Sequence, residues 1–236
     1  MSWVTHPITS RARALSRRIG LNRIATWFLY SRNYEDRFSR LMLGAITPGD
    51  CVWDVGGNVG LYSKRFAELV GEQGSVFAFE PSPVNLLVLR QAVRDRNNVV
   101  VLPIALGDRN GAVRFQQGAD ALGATSKCLD SGMPDSTQSV EVEMMRGDEL
   151  VRTGRARLPN VIKIDTEGFE LDVLEGCSGI IGEPAVRTLC IEVHFGLLDE
   201  RGLKGAPARM ESRLVSAGFR VTWPDASHIV ASRTRK

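Results

Sequence analysis

Between Cys51 and Gly60 the chain reads Cys-Val-Trp-Asp-Val-Gly-Gly-Asn-Val-Gly, and an amphipathic stretch follows to Val70. The apolar residues of Cys51–Val55 are nearly consecutive rather than alternating. Such a strand is buried on both faces, as in a parallel sheet covered by helices. The glycines then supply a tight turn from strand to helix and let the backbone approach a ligand. In open sheets of this kind, ligands bind at the carboxyl ends of the strands, near the point where strand order reverses.

The rest of the chain repeats the alternation. The helix Gly60–Val70 stops at Gly71 and Gly74, and Ser75–Phe79 forms a second strand ending at Glu80-Pro81. Pro83 sits near the start of a helix reaching about Arg96, and Val99–Ala105 reads as a third strand. Further on come a strand Val161–Asp165, a short helix Phe169–Glu175, a strand Thr188–His194 and a helix Ala206–Ala217 closed by Gly218. Phe219–Trp223 and His228–Ser232 flank Pro224–Ser227 as a closing hairpin. Ala112–Phe115 and Val140–Met145 alternate like exposed antiparallel strands, and the polar stretch Gly118–Gln138 between them reads as a long loop. The pattern predicts an α/β fold: a doubly wound, Rossmann-like sheet of about seven strands, mostly parallel, with a C-terminal antiparallel hairpin and N-terminal helices. Residues 1–47 form a helical segment, a packing arm or a lid, and residues 48–236 form one domain.

Composition narrows the function classes. With 30 lysines plus arginines against 27 acids in 236 residues, the net charge of +3 lacks the concentrated basic face of a nucleic-acid binder. Arginines cluster only between Arg11 and Arg40. No apolar run approaches the roughly 20 residues of a membrane span, and no signal peptide is visible, so the chain reads as cytoplasmic. The four cysteines, Cys51, Cys128, Cys177 and Cys190, are far apart and give no zinc or redox motif. His6 and His228 have no supporting neighbours in sequence and read as surface or hairpin residues.

The glycine turn departs from a dinucleotide fingerprint, because Val55 stands where the first glycine would be. Asp54, at the strand end, suits an ammonium rather than a pyrophosphate. Glu80 ends the second strand, where an acid accepts ribose hydroxyls. An amino group and a ribose without a pyrophosphate describe S-adenosyl-L-methionine. The candidate cofactor residues are Asp54, Gly56, Gly57, Asn58, Gly60, Glu80, Pro81 and Asp108. Asp108 also reads as a plain turn residue before Asn110-Gly111.

The chain resembles the FkbM-type family of class I S-adenosylmethionine-dependent methyltransferases. The matching stretches are Asp54–Gly60, Phe79-Glu80-Pro81, Ala105–Asp108, Lys163–Glu170 with Val173–Gly176, and Ile191–His194. They run in the family's order over roughly residues 34 to 195. The resemblance implies methyl transfer, commonly to a hydroxyl of a sugar or secondary metabolite, and it places Asp108 near the adenine. Where family members show Leu-Asp, this chain has Gly147-Asp148, a departure that bears on local packing rather than on the fold.

A second polar cluster lies on the other side of the switch point. Lys163 sits within a buried strand and needs a carboxylate partner, Glu167 or Glu192. Asp165 ends that strand, and Glu192 and His194 share one face of the next. Three readings stay open: a structural cluster, a general base at His194 or Asp165, or a divalent metal such as magnesium on Asp165, Glu192 and His194. The candidate catalytic residues are Asp165, His194 and Lys163. The partner is then a small-molecule or glycoside acceptor, with no nucleic acid; whether the chain forms a homo-oligomer is left open. The competing functions are a nicotinamide-dependent oxidoreductase, disfavoured by Asp54 and Val55, and a methyltransferase for nucleic-acid amines, disfavoured by Asp165-Thr-Glu-Gly168 in place of a Pro-Pro-aromatic motif. A nucleotide-binding module without catalysis would not need the second cluster.

Overall fold

The computed structural model describes residues 37–116, 127–128 and 139–233. The strands in chain order are β1 (Cys51–Val55), β2 (Ser75–Phe79), β3 (Val99–Leu102), β4 (Ile104–Leu106), β5 (Gly111–Gln116), β6 (Lys127–Cys128), β7 (Ser139–Met145), β8 (Val161–Ile164), β9 (Thr188–Glu192), β10 (Arg220–Thr222) and β11 (His228–Ser232). The helices are α1 (37–44), α2 (Leu61–Val70), α3 (Pro83–Ala92), α4 (Gly147–Arg152), α5 (Glu170–Gly176), α6 (Phe195–Glu200) and α7 (Ala206–Ser216).

The main sheet has seven strands in the order β10-β11-β9-β8-β1-β2-β3. The β3, β2, β1, β8 and β9 neighbours pair in parallel, and β11 and β10 close the sheet antiparallel. The chain runs from β1 outward to β3 and later returns to β8 on the other side of β1. The switch point therefore lies between β1 and β8. Alternate residues split the core. On one face Trp53, Phe79, Ile162, Ile164 and Leu189 pack with Leu174, Met210 and Leu214. On the other, Val52, Val76, Val161 and Cys190 pack with Phe66 and Val70 of α2 and with Phe38 and Met42 of α1.

Two elements are shorter than the sequence pattern suggests. The expected third strand, Val99–Ala105, breaks at Pro103, which has no N–H to donate to a ladder. Its second part, β4, joins a separate four-stranded sheet, β4-β7-β5-β6. The helix expected to reach Arg96 ends at Ala92, and Asn98 beyond it donates to the Ala67 and Gly71 carbonyls, capping the end of α2. β5 and β7 pair antiparallel as expected. Most of the Gly118–Gln138 stretch and residues 1–36 lie outside the described residues. Of the N-terminal segment, α1 packs over the sheet, and Arg37 donates to the Pro224 carbonyl at 3.2 Å.

Candidate active site

In β1 and β8 the parallel register sets Asp54 beside Lys163 on one face. The Asp54 side chain is 0% exposed. Its Oδ2 accepts from the Ser63 hydroxyl at 2.6 Å, and its Oδ1 lies 3.1 Å from Lys163 Nζ. The ammonium also donates to the Gly56 carbonyl at 2.9 Å and lies 3.4 Å from Asp165 Oδ2. Burial pulls the lysine's pKa down, but Asp54 and Asp165 more than reverse this and leave it raised. The expected partners of Lys163, Glu167 or Glu192, are thus replaced by Asp54 and Asp165. Asp54 itself turns inward and does not reach the cavity that a ligand's ammonium would enter.

The glycines have different tasks. Gly56 has φ +78, and a Cβ there would overlap the backbone carbonyl of Asp165. The loop after β8 makes a close approach to the Cβ position of Gly56. Gly60 has φ +87, and a Cβ there would lie 2.7 Å from Leu89 of α3. Gly57 abuts the same leucine. Both serve to pack α3 against the turn, as the last glycine of such turns does for helix and strand.

At the carboxyl ends of β1 and β2 a cavity opens, lined by Gly56, Asn58, Glu80, Pro81, Asn85, Phe115, Phe169 and the segment Asp165–Glu167, among others. Glu80 is 4% exposed. Its Oε2 accepts from the Asn58 amide and its Oε1 from the Ser82 amide, each at 2.8 Å. Burial outweighs these bonds and pushes its pKa up to about 7. Asn58 Oδ1 and Thr166 Oγ1 are buried on the cavity lining without a hydrogen-bond partner among the described residues. Buried polar atoms are nearly always paired, so two orphans on residues that line one cavity are consistent with a polar ligand there. Asn58 and Glu167, both at φ 48, are the non-glycine residues with positive φ among the described residues. Asp108 stands apart. Its carboxylate meets Arg109 at 3.0 Å, it does not line the cavity, and its carbonyl accepts from Arg146.

His194 is the hub of the second cluster. Its Nδ1 lies 2.8 Å from Oε1 of Glu170, a fully buried carboxylate that closes the Lys163–Glu170 stretch but was not among the candidate site residues. Its Nε2 faces Glu167 Oε2 at 3.4 Å and both Asp165 Oδ1 and Glu192 Oε1 at 3.8 Å. Burial lowers the histidine's pKa, but Glu170, Glu167 and Asp165 lift it to about 10. The four surrounding carboxylates thus favour the charged form of the ring. The carboxylates divide. Burial raises Asp165 in spite of Lys163, and it raises Glu167 to about 7. Glu192 is also pushed up by burial, but His228 and His194 outweigh this and hold it low. The group with a metal-compatible arrangement is Asp165, Glu167 and His194, whose ligand atoms lie within 4.8 Å of one another, with Glu167 where the sequence suggested Glu192. His194 would have to lose its proton before ligating a cation. Arg201, at the end of α6, steadies the loop below: it pairs with Asp172, donates to the Gly168 carbonyl and stacks on Phe169.

His228 is not the isolated hairpin residue the sequence suggested. It is 5% exposed, its Nδ1 is 2.9 Å from both oxygens of Asp225, its Nε2 is 3.7 Å from Glu192, and its ring stacks on Phe38. The Asp-x-x-His spacing across the turn was the available signal.

Residues 54–221 match the family described as the methyltransferase FkbM domain. The chain belongs to the FkbM methyltransferase family. Its α/β sheet is that of an S-adenosylmethionine-dependent methyltransferase domain. It is 31% identical over 172 residues to the hexuronic acid methyltransferase AglP of Haloferax volcanii, covering 72% of this chain and 67% of that one. It is 29% identical over 194 residues to the 31-O-demethyl-FK506 methyltransferase FkbM of Streptomyces tacrolimicus, covering 71% and 74%. The crystal structure of an FkbM methyltransferase from Methylobacillus flagellatus shares the fold, with a TM-score of 0.53 at 16% identity; the match spans 78% of this chain and 43% of that one. Among the described residues no helix is long and apolar enough to cross a membrane. The family's departure at Gly147 has a local cause: a Cβ there would run into Cys177, while Asp148 accepts from the Gly179 and Ile180 amides at 3.0 Å.

Proposed function

We propose that this chain catalyses S-adenosylmethionine-dependent O-methylation of a hydroxyl on a sugar or sugar-bearing metabolite. The observation that carries the reading is the pairing of Glu80 and Asp165 across one cavity, at strand ends on opposite sides of the switch point. The names of the two relatives, which act on a hexuronic acid and on an O-demethyl precursor, support a hydroxyl acceptor.

Glu80 would accept the ribose hydroxyls, and Asn58 and Thr166 would offer their unpartnered oxygens to the rest of the donor. When bound, S-adenosylmethionine supplies a methyl group activated by its sulfonium, and the bond to sulfur breaks with both electrons remaining on sulfur. Asp165 would take the hydroxyl proton as the acceptor oxygen gains the methyl. Burial pushes its pKa above the usual carboxylate range, the direction that strengthens a carboxylate as a base. His194 would hold Asp165, Glu167 and Glu192 together as their shared counter-charge, and Lys163 would fix Asp165 from below. Gly57 and Gly60 would support the turn from behind. Alignment supplies much of the rate in such a transfer.

Titration calorimetry with S-adenosylmethionine and with NAD, followed by transfer of labelled methyl groups to glycosides, tests the reading. Donor binding with label appearing as an acid-stable methyl ether is expected. Binding of NAD alone would overturn it.

A further inference from the structure

The register of the main sheet lines up a second row of polar side chains. Lys163 pairs with Cys190, so two residues on, Asp165 falls beside Glu192, and Glu192 pairs with His228. Asp165, Glu192 and His228 thus follow one another across β8, β9 and β11, on the face covered by α1 and α2. They line a second cavity of about 420 Å³ together with Ser39, Leu61, Tyr62, Arg65 and Phe38, the last stacked on His228. Volumes of this size hold small ligands. Among the described residues Asp165 alone lines both this cavity and the one at Glu80.

We infer that this second cavity is the acceptor site, and that it selects an acceptor carrying two adjacent hydroxyls. The inference rests on the methyl-transfer reading above. One hydroxyl faces Asp165, the residue this cavity shares with the donor cavity, and is methylated. Its neighbour donates to Glu192.

The geometry suits Glu192 to this task. Asp165 Oδ1 and Glu192 Oε1 each lie 3.8 Å from the same nitrogen, His194 Nε2, so the two carboxylates sit close enough to accept from hydroxyls on adjacent carbons of one ring. Glu192 is held between His228 Nε2 at 3.7 Å and His194 Nε2 at 3.8 Å, and Asp225 fixes His228 in turn. Against the effect of burial, the two histidines hold the Glu192 carboxyl below its usual range, whereas burial pushes Asp165 up, so the two acids face the cavity with different character. Beside them on the cavity lining, Tyr62 is braced by a 2.8 Å hydrogen bond between its hydroxyl and Ser39. Aromatic surface beside paired acceptors fits the apolar C–H face and polar edge of a pyranose.

The test uses the full chain, labelled S-adenosylmethionine, and p-nitrophenyl glucoside, galactoside and glucuronide with their monodeoxy derivatives. Wild type should methylate at least one glycoside, and one derivative lacking a hydroxyl next to the methylated position should show a KM raised roughly tenfold, the cost of one lost hydrogen bond to a charged group. Glu192→Gln should raise KM for the parent glycoside by a similar factor and leave that deoxy derivative unaffected. Leu61→Trp, at a side chain 79% exposed on the cavity rim, should raise KM for both. Donor affinity should match wild type in both variants, and circular dichroism should show both folded at the assay temperature. Equal effects of Glu192→Gln on parent and deoxy compounds, unchanged kinetics in Leu61→Trp, or transfer to isolated alcohols as efficient as to glycosides would each overturn the inference. Failure of wild type to bind S-adenosylmethionine would instead remove the methyl-transfer reading itself.

Discussion

Replacing Glu80 by glutamine separates the charge of that side chain from its shape. An exposed glutamate ionises near 4.5, whereas burial lifts folded Glu80 to about 7. A raised folded pKa means that the native state holds its proton more tightly than the unfolded chain does. The associated stability is complete below pH 4.5 and is lost as the pH climbs through 7, a decline of about 3 kcal/mol. Glutamine has no such titration. It does leave the Asn58 or Ser82 amide facing an NH₂ group, at a cost of about 1–3 kcal/mol that does not change with pH. Comparing the variant with wild type at two pH values cancels that constant. Between about pH 5 and pH 8 the stability difference should therefore move by about 2–3 kcal/mol in favour of the variant. Urea unfolding followed by circular dichroism, with midpoint and slope fitted at each pH, gives the number. Parallel stability curves, differing by a fixed offset, would show that Glu80 is not held at a raised pKa. The same carboxylate should make S-adenosylmethionine binding by wild type weaken as the pH falls below about 7.

Three further outcomes are expected. Lys163→Met strands the fully buried Asp54 carboxylate and should cost about 3–5 kcal/mol, with a matching fall in melting temperature; a loss as small as that of an exposed ion pair would refute the buried clamp. Gly56→Ala should lower the yield of folded protein as well as donor affinity, since its Cβ meets the Asp165 backbone; a normally stable protein that merely fails to bind ligand would contradict this. His194 ionises near 10 in the folded state against 6.5 unfolded, so its stabilising effect is full below pH 6.5 and disappears as the pH rises through 10; thermal melts of His194→Gln should lose that part of the alkaline decline seen in wild type.

What could be read from the chain and what could not divide along a physical line. The strand-turn-helix at Cys51–Val70 and the acid at Glu80 are local, because burial pattern, glycines and a following proline all sit within a few residues. The split at Pro103 was equally local, since a residue without an N–H interrupts any ladder. The pairing of Asp54 with Lys163 depends on the register between β1 and β8, which is fixed by the packing of the whole sheet. The full burial of Glu170 is likewise invisible in sequence, where an acid at a helix start reads as a solvated dipole partner. The four carboxylates around His194 gather only in three dimensions, so the charge environment that separates the three readings of this cluster lies outside the sequence.

The buried Asp54–Lys163 contact also has an evolutionary consequence. An apolar pair of similar volume at these two positions could serve the fold as well or better. Reaching it requires two substitutions, and after the first the interior holds a lone charge. Whichever codon changes first, the intermediate protein is the least stable on the path. The pair should therefore persist through descent by the depth of that valley, and in diverged relatives the two positions should be exchanged together or not at all.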